Sequence, residues 1–437
     1  MLMINKSNSA REILRGGYDG KKVLIEGWVS NIKSNDGIIS LIVRDGSGYI
    51  PVIVEIVKPE LYRLASEIKR ETAVRVSGGV FLEGEKYGIR VESLDVLSKP
   101  KEDFSLNKDV PLELRHLQVR EPKQRATIIV ESTALNAMRE YLKKEGFTEV
   151  LPPTITLMAA EDPNTLFSFP YFNQGTVHLS QTAQPYLEAF AQSLKKVYSI
   201  TPTYRREESK TRKHLSEFNT LEAEQAFSDL DDTISLTENL FVEIIRTVAD
   251  VNYEELETLG REVSKLNVKA PFKRITYDEA IKIYNEAVKA IEPKEGKKSE
   301  VKWGEGFGSE EEDILCEIFG LPFFVTHFPV KARPFYMRPD PNRSDITLSY
   351  DMFAPFAGEV VTGSERITDY DLITQRITDH GLPHWAYGWY INLRKYGLVQ
   401  QSGFGMGIER ALMYITGLKD IRDVSLFPRV SDRRPYP

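Results

Sequence analysis

The stretch at residues 204–224 reads YRREESKTRKHLSEFNTLEAE and predicts two short strands joined by a loop of alternating charge. Successive residues of a strand point to opposite faces, so Arg205 and Glu207 are expected to project together from one side. A guanidinium fixed beside a carboxylate can hold a phosphate anion and an amine at one site. Taken alone, the same pattern would also suit an exposed charged hairpin, so its meaning depends on the rest of the chain.

A glycine-rich strand that leads into a helix is predicted at residues 402–417, which read SGFGMGIERALMYITG. Alternating glycines let another group approach the backbone closely, and Gly417 is the expected end of the helix. The lysine and the Ser/Thr of a P-loop are absent. Arg410 falls in the first helical turn, where the helix dipole disfavours a cation. An anionic ligand bound at that helix N-terminus would explain its position.

A third segment, KEGFTEVLPP at residues 144–153, closes an amphipathic helix. Leu135, Met138 and Leu142 share one face of that helix, and Gly146 is its expected C-terminal stop.

In this order and spacing, the three segments resemble the signature motifs of class II aminoacyl-tRNA synthetases. More narrowly, they resemble the aspartyl, asparaginyl and lysyl subgroup, and the archaeal-type asparaginyl enzymes most closely. The resemblance implies an α+β fold in which a five-stranded OB-fold β-barrel precedes a catalytic domain with an antiparallel sheet flanked by helices. Residues 22–97 agree, because they alternate in polarity as five strands with one inserted helix. An unrelated β-barrel adaptor would fit this alternation too.

The chain of 437 residues is too long for a single core. We expect an OB-fold domain of the anticodon-binding type at residues 1–100, a linker or hinge at 101–125 and the catalytic domain at 126–437. A helical insertion is expected at about 254–316. A hydrophobic content of 41% and a charged content of 28% are typical of soluble globular proteins. The single cysteine, Cys316, excludes an internal disulfide framework and suits a cytoplasmic protein with no membrane segment.

The resemblance implies an ATP-dependent ligase that forms an aminoacyl adenylate and pyrophosphate, and then charges tRNA. Positioning and charge stabilisation would carry such a step. Arg205 would bridge the amino acid carboxylate and the α-phosphate, and Arg410 would clamp the γ-phosphate. The expected catalytic residues are Arg205, Glu207 and Arg410, and the expected ATP-binding residues are Arg205, Glu207, His214, Phe218, Glu359, Gly407 and Arg410.

A magnesium site is expected at Glu359, with Thr362 as a hydroxyl ligand by resemblance to aspartyl relatives. Hard cations bound with phosphates take one or two carboxylates and water. Asp351 is a further acidic candidate. Either acid alone is more often a solvated or capping group than a metal ligand.

The expected amino-acid-binding residues are Glu161, Gln184, Glu222, Arg366 and Gln401. In aspartyl enzymes a lysine pairs with the substrate side chain, and Leu187 stands in its place here. Loss of that cation favours a neutral side chain. The resemblance therefore favours asparagine as substrate, tRNA(Asn) as acceptor and a homodimer.

Several positions depart from the family pattern. Gln401 stands where a histidine is usual, and Thr165 ends a stretch, residues 161–165, that replaces a glycine-rich one normally ending in Glu. Ser40 and Pro51 stand where a base-stacking phenylalanine and a base-reading glutamine are expected. These departures leave open an aspartyl enzyme, a tRNA-independent adenylating paralogue similar to asparagine synthetase A, and a catalytically inactive binding protein.

Overall fold

A computed structural model describes residues 7–102, 111–209, 211–290 and 300–437 of the chain. The chain divides into two compact units, Met1–Asp109 and Val110–Pro437. Within the predicted linker at 101–125, residues 103–110 lie outside the described residues, and a long helix already begins at Pro122.

The first unit is a closed barrel, as the alternating sequence predicts. Its strands are β1 (Lys22–Asn35), β2 (Ile38–Arg44), β3 (Tyr49–Glu55), β4 (Ala73–Glu83) and β5 (Lys86–Ser98), and its helices are α1 (Ala10–Leu14) and α2 (Pro59–Ser66). The strands pair in the order β1-β2-β3-β5-β4, and β4 pairs back with β1. Closure leaves no free sheet edge.

Period-two alternation builds the barrel core. Val23, Ile25 and Val29 of β1 are buried, and they meet Leu41 of β2 and Val52 of β3 in one apolar cluster. Residues between them face outward, so the outer surface of the barrel is free to carry polar and aromatic groups.

The second unit contains the remaining elements. Its helices are α3 (Arg115–Gln118), α4 (Pro122–Lys144), α5 (Gln184–Leu194), α6 (Leu230–Val251), α7 (Tyr253–Leu259), α8 (Tyr277–Ala290), α9 (Ser309–Phe319), α10 (Tyr370–Asp379), α11 (His384–Lys395), α12 (Ile408–Thr416) and α13 (Ile421–Val424). Its strands are β6 (Thr148–Glu149), β7 (Ile155–Thr156), β8 (Ser168–Pro170), β9 (Thr176–Leu179), β10 (Lys196–Tyr204), β11 (Glu217–Ala226), β12 (Lys273–Thr276), β13 (Phe323–Thr326), β14 (Ser349–Ala354), β15 (Gly358–Glu365) and β16 (Gln401–Gly407).

An 8-stranded sheet in the order β12-β13-β14-β15-β16-β11-β10-β6 forms the centre of this unit. The pairings are antiparallel except at the two edges, where β12 pairs with β13 and β6 pairs with β10 in parallel. The α+β fold is thus confirmed, while the sheet is mixed rather than purely antiparallel. Parallel pairs need long crossover connections. Helices α8 and α9 provide one, so the stretch 254–316 contains the edge strand β12 as well as helices.

Alternation along the central strands decides where the site lies. Leu221 and Ala223 of β11 and Phe404 and Met406 of β16 join one core with helices α4, α6 and α12. The residues between them, including Glu222, face the opposite side of the sheet. This opposite face carries the polar groups described below.

The predicted helix ends are confirmed. Helix α4 ends before Gly146, whose φ is +82°, and α12 ends at Gly417, whose φ is +74°. Only glycine adopts such left-handed backbone without strain. Among the described residues, none of the helices is both long enough and apolar enough to span a membrane.

Candidate active site

A cavity of about 350 Å³ lies over strands β11, β15 and β16 on the polar face of the sheet. Most of the residues that the sequence predicts for the site line it. They are Glu161, Gln184, Arg205, Glu207, His214, Phe218, Glu222, Glu359, Thr362, Gly407 and Arg410. The cavity therefore brings together segments that are far apart in the chain.

The hairpin that opens this site is confirmed, with one correction. Strands β10 and β11 pair antiparallel, with Tyr204 opposite Glu217. Because β10 ends at Tyr204, Arg205 and Glu207 lie in the connecting loop and not on a strand face. The backbone of Arg205 still bonds back to Ser216 (N–H to O, 3.0 Å), which keeps the start of the loop in register.

Arg205 is held between a carboxylate and an aromatic ring. Its Nη2 lies 3.8 Å from Oε1 of Glu161, and its guanidinium lies 5.6 Å from the ring centroid of Phe218. Its Nε is buried and has no hydrogen-bond partner among the described residues. A buried donor of this kind carries a large penalty unless a ligand accepts from it. Arg205 is thus arranged to receive an anionic group in the cavity.

A cationic group occupies one end of the cavity. Arg410, in the first turn of α12, donates through Nη1 to the backbone oxygen of Glu359 at 2.7 Å and through Nε to that of Lys213 at 3.3 Å. Its Nη2 lies 3.4 Å from Nε2 of His214. Burial, and then the charge of Arg410, lowers the pKa of His214. His214 is therefore neutral at neutral pH, and Arg410 carries the charge that an anion would meet.

Lys213 and Glu312 were not predicted for the site, although both line the cavity. The Lys213 ammonium lies 3.4 Å from Oε2 of Glu312 and 2.7 Å from Oδ1 of Asp313, on helix α9. Gly358 leaves the room for this pair, because a Cβ there would come 2.8 Å from Nζ of Lys213. Adjacency to His214 is the only sequence signal for Lys213, and nothing in the sequence links it to Glu312.

The oxygen groups at Glu359 suit a hard cation. The hydroxyl of Thr362 lies 2.9 Å from Oε1 of Glu359 and 2.8 Å from Oδ1 of Asp351. Burial raises the pKa of Asp351 to about 7, although Arg333, 2.5 Å away, opposes that rise. Among the described residues no cluster of three or more His, Cys, Asp or Glu could hold a metal. Glu359 and Thr362 line the cavity, whereas Asp351 does not and is paired with Arg333. One carboxylate and a hydroxyl fit Mg²⁺ when phosphates and water complete its ligands.

Carboxylates dominate the other end of the cavity. Glu222 accepts from the hydroxyl of Thr182 and from the N–H of Ala183, both at 2.5 Å, and so fixes the start of α5 beside Gln184. Burial raises the pKa of Glu222 to about 7. Burial also raises the pKa of Glu161, against the charge of Arg205. This end is arranged to receive a cationic group such as an ammonium.

Arg366 and Gln401 do not line the cavity, which differs from their predicted role. The side chains of Arg366 and Glu224 are both 0% exposed and form an ion pair with Nη2–Oε2 at 2.8 Å. The guanidinium also donates to Oγ of Ser364 at 2.6 Å and lies 5.3 Å from the ring of Tyr336, which does line the cavity. Arg366 therefore lies behind the residues that line the cavity.

Gln401 belongs to a second buried network behind the same wall. It donates to Oε2 of Glu188 at 3.3 Å, and its own Oε1 accepts from Gln192 at 3.1 Å. Glu188 pairs with Arg394 at 2.6 Å, with both side chains 0% exposed. Leu187, used above to argue for a neutral substrate, packs with Ala191 and Val197 and does not reach the cavity either.

Taken together, a mixed sheet flanked by helices and a cavity lined by arginines and carboxylates are the features that the resemblance to class II synthetases predicts. Comparison with known proteins agrees. A model of the tRNA synthetases class II (D, K and N) matches residues 107–431, and a model of the OB-fold nucleic acid binding domain matches residues 23–97. The chain belongs to this family of class II tRNA synthetases, and it is a ligase that activates an amino acid with ATP.

Individual relatives match over nearly the whole chain. The asparagine–tRNA ligase of Koribacter versatilis is 38% identical over 96% of this chain and 97% of its own length. That of Pelotomaculum thermopropionicum is 38% identical over 95% and 96%. The crystal structure of asparaginyl-tRNA synthetase from Pyrococcus horikoshii, complexed with asparaginyl-adenylate, superposes with a TM-score of 0.92 at 37% identity and covers 100% of both chains.

Proposed function

We propose that the protein activates asparagine with ATP, with Mg²⁺ as cofactor, and transfers the asparaginyl group to tRNA(Asn). The observation that carries the choice of asparagine is the neutralised charge of Arg366. Glu224 pairs with it in a site where both side chains are 0% exposed. Arg333 also lines the cavity, but it pairs with Asp351 at 2.5 Å. Arg205 is then needed for the α-carboxylate, so a second substrate carboxylate would meet arginines, Arg333 and Arg366, that are already paired with carboxylates.

A neutral amide brings no charge into this part of the cavity, and it can both accept and donate hydrogen bonds. The relatives named above are asparaginyl enzymes, which supports the same choice. A site that pairs with polar substrate groups discriminates strongly against analogues that leave its own groups unpaired.

In the proposed first step, an α-carboxylate oxygen forms a bond to the α-phosphorus of ATP. The bond from that phosphorus to its bridging oxygen breaks, and pyrophosphate leaves. Arg205 would neutralise charge on the carboxylate and the α-phosphate, and Arg410 would meet the outer phosphates. Glu207 and Phe218 would position the adenine, with His214 beside the phosphates. Glu161, Gln184 and Glu222 would hold the α-ammonium.

Glu359 and Thr362 would hold Mg²⁺, which would offset the negative charge of the phosphates. Arg366 and Gln401 would shape the side-chain end from behind Tyr336 rather than touch the substrate. Gly407 would leave the adenosine free access to the start of α12.

A homodimer is proposed from the segment that follows α4. Leu151 is 81% exposed, and Ile155 and Leu157 beside it are also exposed, so this apolar edge suits burial against a second copy. A cytoplasmic location is proposed because the only cysteine, Cys316, is buried and free.

ATP–pyrophosphate exchange tests the proposal, run with asparagine and with aspartate, each with and without total tRNA. Exchange with asparagine followed by charging of tRNA is the expected result. Exchange with aspartate in preference to asparagine would overturn the substrate. Exchange with asparagine but no charging would overturn the acceptor and favour a tRNA-independent paralogue.

A further inference from the structure

The outer face of the barrel carries an aromatic group in a place that the sequence patterns did not single out. Ser40 of β2 and Pro51 of β3 both face outward, opposite Ile53 and Ile42. Neither can stack on a base as an aromatic ring does. The face that an OB-fold offers to nucleic acid therefore lacks a ring at the two positions where the family resemblance implies base recognition.

Phe81 brings a ring to this face from β4. It pairs with Gly88 of β5. A Cβ on Gly88 would lie 2.7 Å from Cζ of Phe81 and 3.3 Å from the backbone oxygen of Pro51. The ring therefore lies over Gly88 and reaches toward Pro51, and the glycine is needed to make room for it.

Cationic groups flank this ring. The guanidinium of Arg90 lies 5.2 Å from the centroid of Phe81. Its side chain is 56% exposed and pairs with Glu55 at 3.2 Å. Along the neighbouring row of cross-strand partners, Lys33 pairs with Ser40, Ser40 with Ile53, and Ile53 with Arg90. The row thus has a cationic residue at each end and small or apolar residues between.

Trp28 is a competing ring, and its surroundings differ. Trp28 is 47% exposed, more than the half-buried Phe81, but the guanidinium of Arg44 lies 5.6 Å from its ring. Arg44 is fixed there by two bonds to Glu71, at 3.0 Å and 2.9 Å. Arg90 has a single exposed ion pair, so its guanidinium can move onto a ligand more readily than that of Arg44.

We propose that Phe81 is the base-stacking platform of this barrel for a single-stranded loop of RNA, with Arg90 as the adjacent cation. Aromatic side chains stack on any base, and an arginine beside them adds a phosphate contact or a cation–π contact. The inference rests on the proposed function, in which the RNA is the tRNA that accepts the amino acid.

The test compares the full-length protein with F81A, F81Y and a matched control, L82A. Leu82 is the next residue on β4 and is 46% exposed, but it points to the other side of the strand. Two quantities are measured: the KM for tRNA in aminoacylation, and the Kd of a labelled RNA hairpin that carries the anticodon loop of tRNA(Asn). A hairpin closed by a stable tetraloop serves as the RNA control.

F81A is expected to raise both constants about 10-fold to 100-fold, whereas F81Y and L82A stay within about twofold of the unchanged protein. R90A is expected to weaken binding of the RNA hairpin. It should also reduce the slope of log Kd against log salt concentration by about one unit. Exchange of pyrophosphate with asparagine alone stays unchanged in every variant, which shows that the catalytic unit is intact.

If the Kd of F81A for the hairpin and its KM for tRNA both lie within about twofold of those of the unchanged protein, Phe81 is not the base-stacking platform. It is overturned too if the unchanged protein activates asparagine but does not prefer the anticodon hairpin to the control hairpin. If the unchanged protein fails to activate asparagine while F81A still loses hairpin affinity, the proposed function fails and the platform stands.

Discussion

Removal of the positive charge behind the cavity, by R366M, should destabilise the protein more than any exposed ion-pair substitution. The guanidinium makes three bonds to Glu224, at 3.1, 3.2 and 2.8 Å, and one of 2.6 Å to Ser364. Methionine keeps much of the volume but leaves the carboxylate of Glu224 buried without its cation. Breaking a fully buried pair in this way costs about 3–5 kcal/mol.

The matched control is R246M. Arg246 pairs with Glu243 at 2.6 Å, but its side chain is 62% exposed. Exposed pairs contribute about 0–1 kcal/mol, so this variant should stay close to the unchanged protein. Unfolding in guanidinium chloride, followed by tryptophan fluorescence, gives the free energy of unfolding of both variants under one set of conditions.

A double variant, R366M with E224Q, separates charge burial from packing. If the cost arises from an uncompensated carboxylate, the double variant should recover about 1–3 kcal/mol of the loss, because a neutral amide is cheaper to bury. R366M should also abolish asparagine activation, since Tyr336 loses the group that supports it. The reasoning is refuted if R366M and R246M differ by less than about 1 kcal/mol.

Three further outcomes are expected. The KM for asparagine should fall as pH rises through about 7, because burial raises the pKa of Glu222 to about 7 and the ionised carboxylate is the form that attracts an ammonium. E222Q should raise that KM and flatten its pH profile, and a profile that still bends near pH 7 would exclude Glu222 as its source. E312Q should lower the KM for ATP, because it frees part of the charge of Lys213 for the phosphates, and K213M should abolish this effect, so that the double-mutant cycle is non-additive by about 0.5–3 kcal/mol. Strictly additive effects of the two substitutions would mean that the contact between Lys213 and Glu312 does not affect ATP binding. E359Q should raise the Mg²⁺ concentration that gives half-maximal pyrophosphate exchange, with E310Q on the exposed start of α9 as control. An unchanged Mg²⁺ dependence would remove Glu359 from the metal site.

Much of the site could be predicted from short motifs. Arg205, Glu207, His214 and Phe218 fall within one hairpin, and Arg410 follows directly on a glycine strand. Residues within such a segment are held together by local geometry, so a pattern in the chain carries over to the folded site. Their meeting with Glu359 in one cavity was implied only by the family resemblance, and the structure explains it, because strands β11, β16 and β15 pair side by side.

The positions of Arg366, Gln401 and Leu187 did not follow. Each is close in sequence to a residue that lines the cavity, yet each packs behind the wall. A side chain in such a place is directed by its partners, such as Glu224 and Glu188, which come from distant segments. A buried polar side chain whose hydrogen-bond partner comes from a distant segment leaves no periodic pattern in the sequence.

By itself, the sequence predicted the barrel and the helix ends, because local patterns of polarity and glycine specify those elements. The family and the residues proposed to meet ATP came from the resemblance of three short motifs to a known family. Only the tertiary structure decided which charges remain available to a substrate. Arg366 is neutralised by Glu224, and Lys213 is paired with Glu312 and Asp313 from helix α9. Phe81 reaches toward Pro51 only because the barrel places Gly88 between them. Such pairings depend on distances between segments remote in the chain, and distance decides the strength of an interaction between charges.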